Sequence, residues 1–236
     1  MSSDSAAEEI SDHPTWTHGD FEIVAVDRVR FLIPSHYLLS SSPNHEKKLV
    51  LLDPDFETSA TFGMFLNLLK FGTLDLARNR PWTAILKVAQ LITKWDCTPT
   101  RALLLFLLQS TMLFAGILPL ETLLAAAFLN CKKTCITALY VRSVTWDIGM
   151  ENEPGDIGFD TLDPAHWPLD VFTHVAPTYL WALQRTYDAR THPAEFYMGL
   201  PNAERTKPHE MRCSKFSYYL NLARKQEHKN RITGSA

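Results

Sequence analysis

Apolar residues alternate with polar ones in the first fifty positions and recur every three to four residues from position 58 onward. Phe21, Ile23 and Ala25, then Val29, Phe31 and Ile33, flank the polar pair Asp27-Arg28, a pattern that predicts a β-hairpin. Pro34 cannot donate to a strand ladder and ends the second strand. "SHYLLSSS" follows as a short helix with Ser35 as its N-cap, and "KKLVLLD" reads as a third strand stopped by Asp53-Pro54. Phe62, Phe65, Leu66 and Leu69 then sit at helical spacing, with Thr58 or Ser59 capping and Gly72 closing. Arg80-Pro81-Trp82 opens another helix, Pro81 suiting its first turn; its stripe is Trp82, Ile85, Leu86, Ala89 and Ile92.

The run from Thr100 to Leu129 is the most apolar of the chain, and it poses a choice between a membrane span and a core. Crossing the hydrocarbon layer takes about 20 apolar residues, and Ala102–Leu120 comes close. Three features oppose a span. Gln109-Ser110-Thr111 would lie at mid-membrane, where polar groups are least favoured. Gly116, Pro119 and Glu121 break one end, and no Trp or Tyr stands near Leu120. Two core helices, over 101–115 and 119–130, fit better, each apolar nearly all round because it packs on several sides. Further helices are expected over 132–147, 170–174 and 177–190, with an acidic loop over 150–164.

Composition narrows the function classes. The 236 residues are 46% apolar and 21% charged, with a net charge of −3, which gives no global pull toward nucleic acid or anionic lipid. The cysteines, Cys97, Cys131, Cys135 and Cys213, are too scattered for a disulfide framework. No secretory signal is recognised, so a cytoplasmic or nuclear home with free thiols is expected. Residues 1–18 read as a disordered acidic lead-in. Beyond position 193 the chain turns basic, a tail expected to be partly disordered.

Three ordered motifs carry a family likeness. Asp20 precedes the hairpin, Phe31 is its strand aromatic, Leu38 lies on the short helix, and Ser42-Pro43 follows. Then come Asp53-Pro54-Asp55-Phe56-Glu57-Thr58, Phe65-Leu66 and Gly72, and finally Trp95-Asp96-Cys97 inside "LITKWDCTPTRALLLFLL". The region 19–110 resembles a BTB/POZ domain, in particular the divergent fungal type. The segments Trp167-Pro168-Leu169-Asp170 and Tyr179-Leu180-Trp181-Ala182-Leu183 resemble parts of those fungal relatives as well. The chain departs from the family pattern where Pro34 replaces a histidine and where His45 replaces the aromatic after Ser-Pro. The resemblance implies an α+β, BTB/POZ-like fold: a small sheet from the hairpin plus one strand, flanked by helices. An all-helical extension over 111–192 follows it.

It also implies a non-enzymatic protein–protein interaction module that self-associates or recruits partners, with a homodimer and a cullin ubiquitin-ligase scaffold among the candidates. The interaction residues it points to are Asp20, Phe21, Leu38 and Phe56. Trp16, Tyr37 and Leu74 join them as candidate apolar surface, each equally readable as core. No glycine pattern of a nucleophile elbow, phosphate loop or dinucleotide site occurs. Cys131 and Cys135, at i and i+4, lack the further ligands a structural zinc needs. Asp53 and Asp55 read as turn and helix-start residues. The expectation is therefore no catalysis, no cofactor, no metal, no small-molecule substrate and no membrane. The alternative is a nucleic-acid-associated regulator that uses the basic tail with Phe216, Tyr218 and Tyr219.

Overall fold

Strands β2 (Phe21–Val24) and β3 (Val29–Ile33) form the expected hairpin, with Phe21 opposite Ile33 and Ile23 opposite Phe31. Its turn closes through Arg28, whose φ of 64° lies in the left-handed region, and the Arg28 N–H donates to the Ala25 carbonyl at 3.0 Å. Strand β4 (Lys48–Val50) runs parallel to β2 and is steadied by a 2.8 Å ion pair between Lys48 and Glu22. In this computed structural model the described residues are 10–38, 48–74, 82–115, 119–147, 162–167, 169–188 and 208–233. The motif residues Ser42-Pro43, His45 and Pro81, and the expected loop over 150–161, lie outside them.

Among the described residues the sheet has four strands, in the order β1-β3-β2-β4. The extra strand, β1 (Ser11–Thr17), corrects the disordered lead-in expected there. Its sequence "SDHPTWT" shows no alternation because only Trp16 is buried. Backbone pairing with β3, irregular between Asp12 and Thr17, holds it instead. A two-point ion pair from Arg30 to Asp12, at 2.6 and 3.1 Å, adds to that pairing.

The chain divides into two compact units, residues 1–104 and 105–236. In the first, helix α1 (Ser59–Phe71) lies on the sheet: Phe62 meets Phe31 edge-on at 5.0 Å, and Phe62 and Phe65 both pack on Trp95 at 5.6 Å. Both ends of α1 are fixed as the sequence implies. Thr58 accepts from the Thr61 N–H, and Gly72, at φ 61°, donates to the Leu68 carbonyl. Helix α2 (Trp82–Lys94) buries Ile85, Leu86, Val88, Ala89, Leu91 and Ile92.

Helix α3 (Thr98–Ala115) is not apolar all round for the expected reason. Leu104, Leu108 and Met112 are fully buried, but Phe106 and Leu113 are 62% and 57% exposed. Helix α4 (Pro119–Phe128) does match the expectation, with Thr122 through Ala127 buried without a break. It ends at Asn130, in the left-handed region at φ 55°, where the Cys131 N–H donates to the Ala126 carbonyl at 2.7 Å. Among the described residues no helix is long and apolar enough to cross a membrane.

Within the second unit, α5 (Lys132–Asp147) packs on α4. After α6 (Leu169–Thr173), helix α7 (Pro177–Tyr187) buries Tyr179, Ala182, Leu183 and Thr186. The basic tail is largely a 26-residue helix, α8 (Pro208–Thr233), packed on α5 and α7. Its buried face is Lys215, Phe216, Tyr219 and Leu220, so the aromatics Phe216 and Tyr219 are core rather than stacking platforms.

One glycine is dictated by close approach. A Cβ on Gly19 would lie inside the van der Waals envelope of the Ile33 backbone, whereas a Cβ on Gly63 would meet only His13 Nε2 at 3.4 Å. Gly19→Ala is expected to lower the urea unfolding free energy by about 2 kcal/mol or more. Gly63→Ala, in mid-helix, should be neutral or stabilising by up to about 1 kcal/mol. Denaturation curves of the two variants check both.

Candidate functional site

The segment Asp53–Thr58 is built around one carboxylate. Glu57 is 2% exposed, and its Oε2 accepts the N–H groups of Leu52 at 2.9 Å and Asp53 at 2.8 Å. Its Oε1 meets Lys94 Nζ at 2.8 Å. The same ammonium lies 5.3 Å from the Phe56 ring centre, so Phe56 belongs to this buttress and is half-buried. Burial alone would raise the Glu57 pKa, but the Lys94 ammonium and the two backbone donors outweigh it and hold the carboxyl below its ordinary range. Asp53 accepts from the Asp55 N–H at 3.0 Å, which makes it a turn residue, as its place before proline implies.

The other interaction residues scatter over the first unit, and two of them meet. Trp16 lies edge-on to Tyr37 at 6.2 Å and tilted against Phe71 at 6.3 Å. Lys70 Nζ stands over both rings, 4.8 Å from Trp16 and 4.9 Å from Phe71. Trp16 is 4% exposed, yet among the described residues its indole N–H finds no acceptor. Phe71 above it is 54% exposed. Asp20 positions Tyr37 indirectly. It accepts from the Ser35 N–H at 2.8 Å and hydroxyl at 2.9 Å, which fixes the 3-10 turn Ser35–Leu38. Phe21 is half-buried in β2, and Leu74 is half-buried just past Gly72. The side chain of Leu38 lies outside the described residues.

Sequence reading missed the exposed members of this surface. Lys70 and Phe71 form the last turn of α1, beyond the stripe Phe62, Phe65, Leu66 and Leu69, and no local signal marked them as surface. At the far edge of the sheet β4 exposes Leu49 and Val50, and Leu52, just beyond it, is 78% exposed. Among the described residues the outer edge of β4 pairs with no strand, the kind of edge that recruits another chain. The signal was there in "KLVLLD", a strand too uniformly apolar to have a wet face.

His13 sets the path of β1. Its Nδ1 accepts from the N–H groups of Thr15 at 3.2 Å and Trp16 at 3.3 Å, and its ring stacks on Phe31 at 4.5 Å. The accepting nitrogen requires the neutral ring, and desolvation lowers the histidine pKa in the same sense.

A second polar arrangement lies in the second unit. Tyr179 Oη donates to Asn130 Oδ1 at 2.9 Å, and Arg224 donates to that same oxygen and, at 2.7 Å, to Tyr179 Oη. Burial, with the nearby Cys135, pushes the Tyr179 phenol up to about 12, so it stays neutral. These groups open onto a cleft of about 530 Å³ between the α4 terminus, the start of α7 and the outer part of α8. The thiols of Cys131 and Cys135 are engaged within the fold. Cys135 is fully buried against the Leu123 carbonyl, burial holds its pKa far up, and Cys131 bonds Thr134. Among the described residues no three metal-ligating side chains gather.

Comparison with protein-family models, with characterised proteins and with solved structures finds no match to this chain.

Two acid sensitivities follow. Glu57 has a folded pKa below its ordinary 4.5. Its contribution is therefore complete above that value and is lost as pH falls through the folded pKa. Glu57→Gln is expected to cost about 2 kcal/mol at pH 7 and to flatten the fall of the urea midpoint below pH 4.5. His13 has a folded pKa below 6.5, so the unfolded chain takes up its proton first and stability drops as pH falls from 6.5 toward the folded value. In His13→Gln that drop should vanish while the one below pH 4.5 persists. The pH dependence of the urea midpoint reads both.

Proposed function

We propose that the first unit is a non-enzymatic protein-interaction module of the BTB/POZ kind, through which the chain associates with itself or recruits protein partners in the cytoplasm or nucleus. A cullin ubiquitin-ligase scaffold is one such partner, on the strength of the family likeness of the three motifs. The observation that carries the reading is the Trp16–Tyr37–Phe71 cluster. A buried indole whose N–H has no acceptor among the described residues sits beneath a phenylalanine more than half exposed, beside an ammonium. Interfaces draw their affinity from such aromatic anchors, which a partner desolvates, and a partner carbonyl or carboxylate can take up the idle indole proton. The open edge of β4 with Leu52 offers a second contact of the same kind.

The nucleic-acid reading is the weaker of the two, because Phe216 and Tyr219 are committed to the core of the second unit.

Light scattering on the size-fractionated full chain tests the proposal. The wild type is expected to run as a dimer or to retain a defined partner. Phe71→Ser and Leu52→Ser, both at exposed positions, should weaken that association about tenfold or more with unchanged circular dichroism. A strictly monomeric chain that holds no partner, or an association indifferent to both substitutions, overturns it.

A further inference from the structure

The cleft in the second unit holds a cation that the fold itself does not neutralise. Arg224 is half-buried, and both of its bonds go to neutral oxygens, the Asn130 amide and the Tyr179 phenol. Among the described residues no carboxylate lies within ion-pairing distance of it. Its guanidinium also lies over the Tyr179 ring, 5.4 Å from the centre. A guanidinium fixed in this way spends one of its two Nη groups on positioning, and its other donors keep their fork geometry. Fixing it beforehand removes much of the ordering cost of binding, and the fork matches phosphate oxygens.

Two more basic side chains line the same cleft. His228 and Arg231 follow Arg224 at i+4 and i+7 of α8, and so share its face. Glu227 also lines the cleft and extends into the adjoining groove beside Trp181 and Leu222. It is the one carboxylate among the residues that line the cleft. Beside Thr178, the remaining wall carries apolar surface from Phe128 at the α4 terminus and Pro177 in the first turn of α7. A volume of about 530 Å³ falls in the range of small-molecule sites. It is larger than a bare phosphate needs.

We propose that this cleft binds a small organic phosphate. The phosphate would lie on Arg224 with His228 and Arg231 beside it, and an apolar or aromatic body would rest against Phe128 and Pro177. No bond is made or broken.

Calorimetric titration of the full chain at constant ionic strength tests this, with phenyl phosphate and inorganic phosphate as probes. Phenyl phosphate is expected to bind saturably and more tightly than inorganic phosphate, and to raise the unfolding temperature. Arg224→Gln should abolish binding. Because that change also removes the Tyr179 and Asn130 contacts, the exposed pair His228→Gln and Arg231→Gln gives the cleaner reading, each about a tenfold loss. Lys225→Gln, on α8 but not lining the cleft, should bind as wild type does. The proposal is overturned by no saturable binding in the millimolar range, by affinity unchanged in the His228→Gln/Arg231→Gln double variant, or by an equal loss in Lys225→Gln. A chain that takes up a single-stranded oligonucleotide but not phenyl phosphate overturns it as well.

Discussion

The first unit turns on a buried carboxylate that faces an ammonium. Glu57 closes the chain after β4 through two backbone N–H groups, and it reaches the last turn of α2 through Lys94. Its own carbonyl accepts the Val26 N–H at 3.2 Å, which ties in the hairpin turn. A charge in such a place is costly unless every lone pair is used, and here the acceptor load of both oxygens is met. Removing Lys94 would strand the buried carboxylate, and removing Glu57 would leave two backbone N–H groups without their acceptor, so the hairpin, β4, α1 and α2 hold position together.

With that clamp in place, the aromatic surface can be partly unsatisfied without collapse. Trp16 is anchored by β1, and β1 in turn by His13 and by the Arg30–Asp12 pair. The indole N–H, without an acceptor among the described residues, is a local cost carried by a frame that those contacts hold in place. A similar division holds in the second unit, where the packed faces of α5, α7 and α8 support a cleft in which the Arg224 guanidinium rests on neutral oxygens.

Legibility in the sequence followed the range of the forces involved. The width of the buried faces was not legible, since α1 buries Thr61 through Leu66 without a break and α2 adds Val88 and Leu91 to its stripe. The existence of helices α1, α2, α5 and α7 was readable because apolar residues recur along each at helical spacing, and the caps Thr58 and Gly72 are local signals. The hairpin was readable for the same reason. Strand β1 was not, because it is held by partners about twenty residues on, and only Trp16 among its side chains goes inward. In α3 composition misled: Phe106 and Leu113 are apolar yet exposed, and no local rule separates them from Leu104 and Leu108. In α8 the charges hid a face formed by Phe216, Tyr219 and Leu220. Of the interaction residues, Trp16 and Tyr37 come together as an aromatic pair, whereas Phe56 serves the Glu57 buttress. The Arg224–Asn130 contact joins residues 94 positions apart, and nothing short of a fold could reveal it.

The start of α1 is set from afar as well as by Thr58. Asp27, in the hairpin turn, accepts from the Ser59 N–H at 2.9 Å and hydroxyl at 2.6 Å, across 32 positions of sequence. A 13-residue helix is marginal by itself in water, and this one draws part of its first turn from a loop that exists only once β2 and β3 have paired. The first turn of α1 and the turn between β2 and β3 are thereby coupled, so that loosening the hairpin would also fray the start of the helix.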